Sequence, residues 1–151
     1  MLNEILKQEM QELGVTLHRV RFRGRMRFVT VGKTIFISSA LQQPAEENAV
    51  FARALGHQHT CTANLLAAEP LERRKYEYLA DRWATRKVMP LEKLVFAFQN
   101  GLRRTDEYCT FLEITPCFFS RGLSVYQNIY GQGTHCGGYS LEFDPFSICA
   151  L

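Results

Sequence analysis

The five cysteines of this chain (Cys61, Cys109, Cys117, Cys136 and Cys149) include no C-x-x-C pair. An odd, scattered set argues against a disulfide framework and against a thiolate zinc site. Reduced thiols in a cytoplasmic protein are expected. The opening Met-Leu-Asn-Glu has none of the basic-then-apolar pattern of a secretory leader. No uninterrupted apolar run approaches the ~20 residues of a membrane span, so no membrane partner is expected. Acid is missing where base is densest: no Asp or Glu lies between Glu12 and Glu46, while Arg19, Arg21, Arg23, Arg25, Arg27 and Lys33 do. That stretch is strongly basic in a chain whose net charge is only +3.

What is present is an ordinary globular composition. At 151 residues, 46% of them hydrophobic and 22% charged, the chain has neither the low apolar content nor the charge excess of a disordered segment. A domain of this size buries roughly 70% of the surface its unfolded chain exposes, so a core forms without staples. One domain over residues 1–151 is expected.

Leu2, Ile5, Leu6, Met10 and Leu13 recur at helical spacing before Gly14, which predicts a first amphipathic helix. Residues 15–23 alternate with period two, Gly24 offers a turn or bulge, and residues 26–31 and 34–37 continue the β-rich composition. A small antiparallel sheet of about three strands is predicted from these runs. Pro44 opens a helix through His57, Pro70 opens another that Pro90 ends, and Leu91 to Gly101 holds a third. Thr105-Asp-Glu and Thr115-Pro116 signal two more, the second carrying Phe118, Phe119, Leu123, Tyr126 and Ile129. Residues 131–138 read as loop and residues 139–143 as a final short strand. The fold class is therefore α+β, a small sheet on two long helices with a helical C-terminal segment.

Chemistry concentrates between residues 53 and 81. A zinc hydrolase of the H-E-x-x-H type sets two His ligands at i and i+4 on one helix face, with the Glu beside the first as general base. In Arg53-Ala54-Leu55-Gly56-His57 only the second His is there. Arg53 stands at the first-ligand position and Ala54 at the general-base position. On the next helix Glu77 and Asp81 are also four apart and share a face. A His from one helix and a Glu from the next can meet at one zinc ion, and Asp81 is placed to bond the far nitrogen of His57. His59 is a further candidate ligand, but it lies about 200° around an ideal helix from His57, so it could ligate only if the helix ended near Gly56.

The succession Ile35-Phe-Ile-Ser38, Glu46-Glu-Asn48, Phe51-Ala-Arg-Ala-Leu-Gly-His-Gln-His-Thr60, Glu77-Tyr-Leu-Ala-Asp-Arg-Trp-Ala84 and Val88-Met-Pro-Leu91 resembles the ImmA/IrrE metallopeptidase family. The resemblance is to its phage and mobile-element branch in low-GC Gram-positive bacteria, and it runs from about residue 15 to 100. It implies a zincin-like core at 15–100, followed by a C-terminal helical segment and short strand at 101–151. It further implies a zinc cofactor and a repressor-type partner, a helix-turn-helix regulator that is cut or otherwise relieved. By position, His57 matches the second His ligand, Glu77 the carboxylate ligand and Asp81 its neighbour. Arg53 matches the first His, often an acid in that branch, and Ala54 the catalytic Glu. A methyl group cannot take a proton from water, and a positioned general base is typically worth ~10²- to 10⁴-fold, so hydrolysis is expected to be severely impaired. Two accounts stand: a natural pseudo-enzyme that binds without cutting, or an engineered replacement of Glu at position 54.

Other features have plainer readings. Arginines 19 to 27 at alternate positions fit the solvated face of an edge strand; a phosphate-binding or acidic-partner surface is the second reading, which keeps nucleic acid open as a partner. Residues 106–119 resemble a helix-turn-helix faintly, but Pro116-Cys-Phe-Phe is too apolar to open a base-reading helix, so a packed helical pair is expected. His135-Cys136 has no spaced second pair for a metal, and Trp83 reads as core.

Overall fold

Helix α1 (Leu2–Glu12) buries Leu2, Leu6 and Met10 and leaves Ile5 half exposed, so its apolar stripe is narrower than the spacing suggests. It leads into three strands, β1 (Thr16–Val20), β2 (Phe28–Val31) and β3 (Thr34–Ser38). These form one sheet in the order β1-β3-β2. The predicted all-antiparallel sheet is corrected here: β2 pairs antiparallel with β3, but β1 pairs parallel with it. The physical reason is burial. Ile35 and Ile37 of β3 are wholly buried, and the most deeply buried strand takes the middle, with a neighbour on each side. The chain from β1 must then cross the sheet end before starting β2, and residues 21–27 do so outside any strand.

The computed structural model describes residues 1–60 and 69–151, which divide into two compact units, Met1–Ala84 and Thr85–Leu151. Cys61 lies outside the described residues. In the first unit, α2 (Pro44–Thr60) is buried around most of its circumference from Val50 to His57, the pattern of a helix enclosed by neighbours. Its partner is α3 (Pro70–Val88), within which the division between units falls at Ala84.

The second unit follows with α4 (Leu91–Gln99), α5 (Thr105–Leu112) and α6 (Pro116–Tyr130). The cap of α6 is as predicted: Thr115 Oγ1 accepts from the Phe118 amide at 3.1 Å, and Pro116 sits in the first turn. On α5 the N-cap is Arg104 rather than Thr105, and the Glu107 carboxylate reaches back to the backbone N–H groups of Arg104 and Arg103 at 2.9 and 3.1 Å. The buried stripe of α6 is Phe118, Phe119, Gly122, Val125 and Tyr126, with Leu123 and Ile129 at its margins. Phe118 and Phe119 point inward, and Phe119 stacks on Tyr108 at 6.1 Å. The pair α5–α6 is thus packed through the surface a base-reading helix would present.

The predicted loop and single last strand are instead a three-stranded antiparallel sheet of β4 (Gly133–Cys136), β5 (Tyr139–Phe143) and β6 (Phe146–Ala150). Gly137 and Gly138, both at positive φ, make the two-residue turn joining β4 to β5. β4 reads Gly-Thr-His-Cys, too short and polar for strand character of its own; pairing with β5 confers it. His135 and Cys136 are successive strand residues and face opposite ways. Among the described residues no helix is long and apolar enough to cross a membrane.

Candidate functional site

The site begins from a missing side chain. Gly56 lies inside α2, where glycine costs helix stability, and a Cβ built there would stand 2.4 Å from the carbonyl oxygen of Ala80 and 3.0 Å from its Cα. The backbones of α2 and α3 therefore meet at Gly56 and Ala80, closer than any other residue at position 56 permits. Around that contact the sequence is matched on the two helices. Arg53 and His57 lie three before and one after Gly56; Glu77 and Asp81 lie three before and one after Ala80. Helical geometry puts each pair on one face, and the close crossing brings the faces together.

The His57 ring is buried, with Nε2 3.3 Å from Glu77 Oε2. Arg53 lies across both acids: its Nη2 donates to Glu77 Oε2 at 3.2 Å and its Nε to Asp81 Oδ1 at 2.7 Å. The Arg53 side chain is 23% exposed and that of Asp81 17%, so this pair is partly desolvated and charge-assisted, while Glu77 is more open to solvent. Phe28 of β2 covers it, its ring 5.5 Å from the Arg53 Cζ and 6.2 Å from the His57 ring.

Asp81 is not the partner of His57 that its spacing predicts. Its carboxylate is engaged by Arg53, a fixed cation with forked donors that binds a carboxylate more strongly than a neutral ring N–H does. His57 Nδ1 is consequently buried with no hydrogen-bond partner among the described residues. Ala54 is wholly buried and offers no group that could accept a proton. His59 is separated from this cluster because α2 continues to Thr60. Its ring stacks on Trp83 at 4.5 Å and its Nε2 lies 3.2 Å from Glu9 Oε1. Trp83, read as core, is half-buried and serves as that stacking platform.

The donor set decides whether zinc fits. Two ligands of a tetrahedral zinc with bonds of about 2.0–2.1 Å stand roughly 3.3–3.4 Å apart, which is the separation of His57 Nε2 and Glu77 Oε2. The third corner is held by a guanidinium, which cannot ligate and repels a cation. No group of three or more His, Cys, Asp or Glu side chains suited to a metal exists among the described residues. The residues present do not fit a catalytic zinc.

Sequence reasoning missed two contributors. Gly56, inside the helix predicted through His57, is the contact point; a glycine inside an apolar helical run is the signal of a close backbone approach. Phe28 carries no sequence signal beyond its strand. The four cysteines among the described residues are free, and burial raises the thiols of Cys109 and Cys136 above their ordinary range, which disfavours the reactive thiolate. No protein-family model, curated protein or solved structure matches the chain.

Proposed function

We propose that this chain is a catalytically silent relative of the ImmA/IrrE metallopeptidases, a pseudo-peptidase with a zincin-like arrangement of α2 and α3. It acts by holding a repressor-type regulatory protein without cutting it. The observation that carries the reading is the Arg53 guanidinium bonded to both Glu77 and Asp81. A permanent cation on the protein stands in the corner where a ligand would face a metal, and it satisfies the acids that a metal would otherwise draw in. A competent enzyme disabled only at Ala54 by engineering has no need of this arrangement, so the natural pseudo-enzyme account is favoured. Catalysis is doubly blocked, since Ala54 supplies no base and Arg53 no ligand.

The test is metal content. Dialysed against zinc and then buffer, the chain should retain far less than one equivalent, while Arg53→His, which completes two His and one Glu, should approach one. Co-expressed with a helix-turn-helix repressor-type regulator, the chain should also co-purify with it and leave it intact. Stoichiometric zinc in the unaltered chain, together with chelator-sensitive cleavage of the regulator, would falsify the proposal.

A further inference from the structure

Four arginines crowd into the seven residues 21–27, Arg-Phe-Arg-Gly-Arg-Met-Arg, and the structure removes the plain explanation for them. β1 ends at Val20, so Arg21, Arg23, Arg25 and Arg27 are not the charged face of an edge strand. All four side chains are exposed on the connection that crosses the sheet end. Arg19, the one member of the series on the strand, behaves differently: it donates to the Leu41 carbonyl at 3.3 Å and pairs with Glu47. That pairing consumes the nearby acid. None of the four loop guanidiniums has a hydrogen-bond or ion-pair partner among the described residues.

Four like charges on seven exposed residues repel one another, and a folded chain gains by offering them a shared counter-anion. Guanidiniums suit phosphate because their forked donors take two oxygens at once. An extended polyanion satisfies several of them together, and single phosphates do not. A membrane surface fits less well. Interfacial loops bury apolar side chains, whereas here Phe22 is half-buried in the protein and only Met26, 50% exposed, is available between the arginines. We propose that residues 21–27 bind the phosphodiester backbone of nucleic acid without sequence preference, through Arg21, Arg23, Arg25 and Arg27.

The proposal is independent of the Arg53 cluster and is tested on the full chain by fluorescence anisotropy with a labelled mixed-sequence oligonucleotide, single-stranded and duplexed. Four neutralised phosphates give a log–log salt slope of roughly −2.8 for single strands and −3.6 for duplex, so affinity should fall about 50- to 150-fold between about 50 and 200 mM salt. Which strand state follows which slope distinguishes the two sources of backbone. Replacing the four arginines by Gln should abolish binding, and each single Arg→Gln should reduce the slope by about 0.7 to 0.9. An equally discharged control, Lys75→Gln, Arg86→Gln, Lys93→Gln and Arg121→Gln, should bind normally. Binding that survives the quadruple loop variant overturns the proposal, as do equal loss in the control and no binding at low salt. So does tighter binding to polyglutamate or to vesicles of phosphatidylserine.

Discussion

Both units of this protein rely on a glycine within a helix, and the two glycines do different work. In residues 1–84, Gly56 faces backbone: the atom that blocks a side chain there is the Ala80 carbonyl oxygen. In residues 85–151, Gly122 of α6 faces a side chain: a Cβ there would meet Met89 Sδ at 2.3 Å and Cε at 2.9 Å. Methionine is flexible and can swing away, whereas a helix backbone cannot move without its whole element. The surroundings differ in the same sense. The first unit sets charged groups around its glycine. The second sets aromatic rings and one buried hydroxyl, with Tyr126 Oη donating to the Met89 carbonyl at 2.9 Å. A contact of backbone on backbone is rigid; a contact of backbone on a flexible side chain tolerates adjustment.

The largest expected effect breaks the first crossing. Gly56→Ala should lower stability by about 3 kcal/mol, the upper end for overpacking, even after a helix-propensity gain of roughly 1 kcal/mol. Chemical denaturation measures it, and an unchanged midpoint would remove the close-approach reading of the site.

Arg53→Ala should come next, at about 1–3 kcal/mol, because Glu77 and Asp81 lose the donor they share. Arg53→Ala combined with Asp81→Asn should recover part of the loss in a double-mutant cycle. Simple additivity of the two would mean that the ion pairs are decorative.

In the second unit Tyr126→Phe should cost about 1–2 kcal/mol by leaving the Met89 carbonyl without its donor. Burial, helped by Tyr130, raises the Tyr126 phenol far above its ordinary range. The sign follows directly: the folded state keeps a proton that the unfolded chain releases near pH ~10, so this contribution is full below that pH and is lost as pH rises further. Urea titrations at increasing pH should show stability falling above that point, less steeply in Tyr126→Phe. Gly122→Ala should cost about 1 kcal/mol or less, since Met89 gives way and helix propensity offsets the strain. A loss equal to that of Gly56→Ala would erase the distinction between the two glycine contacts.

The smallest effect belongs to Glu107. Hydrogen bonds from the Arg104 and Arg103 amides lower its carboxyl below the usual range. A depressed pKa stabilises the fold above the unfolded value, and the benefit disappears as pH falls through the folded one. Glu107→Gln should produce a slight shift in the thermal midpoint at neutral pH and none in acid.

Much of the helical skeleton was legible in particular residues. Pro44 and Pro70 start α2 and α3, Thr115-Pro116 caps α6, and the period of Leu2, Leu6 and Met10 marks α1. These signals are local, written in propensity and capping chemistry within one turn. The convergence of His57 with Glu77 was legible too, because i, i+4 spacing on each helix is a statement about faces. Less legible were β4, whose four residues acquire strand character only from β5, and the end of β1, which set whether the arginines lie on a strand or a loop.

By itself the sequence determined which groups are available: an arginine and a histidine four apart, two acids four apart some twenty residues later, and six cations in a stretch without acid. Only the tertiary structure decided how those groups are paired. Asp81 serves Arg53 and not His57, Arg19 is neutralised while its four neighbours are not, and Gly56 brings α2 against the backbone of α3. The reason is physical. Composition and periodicity constrain what a residue can do within its own element, but the partner of a charge is set by the distance to groups many residues away, and that distance exists only once the helices have crossed.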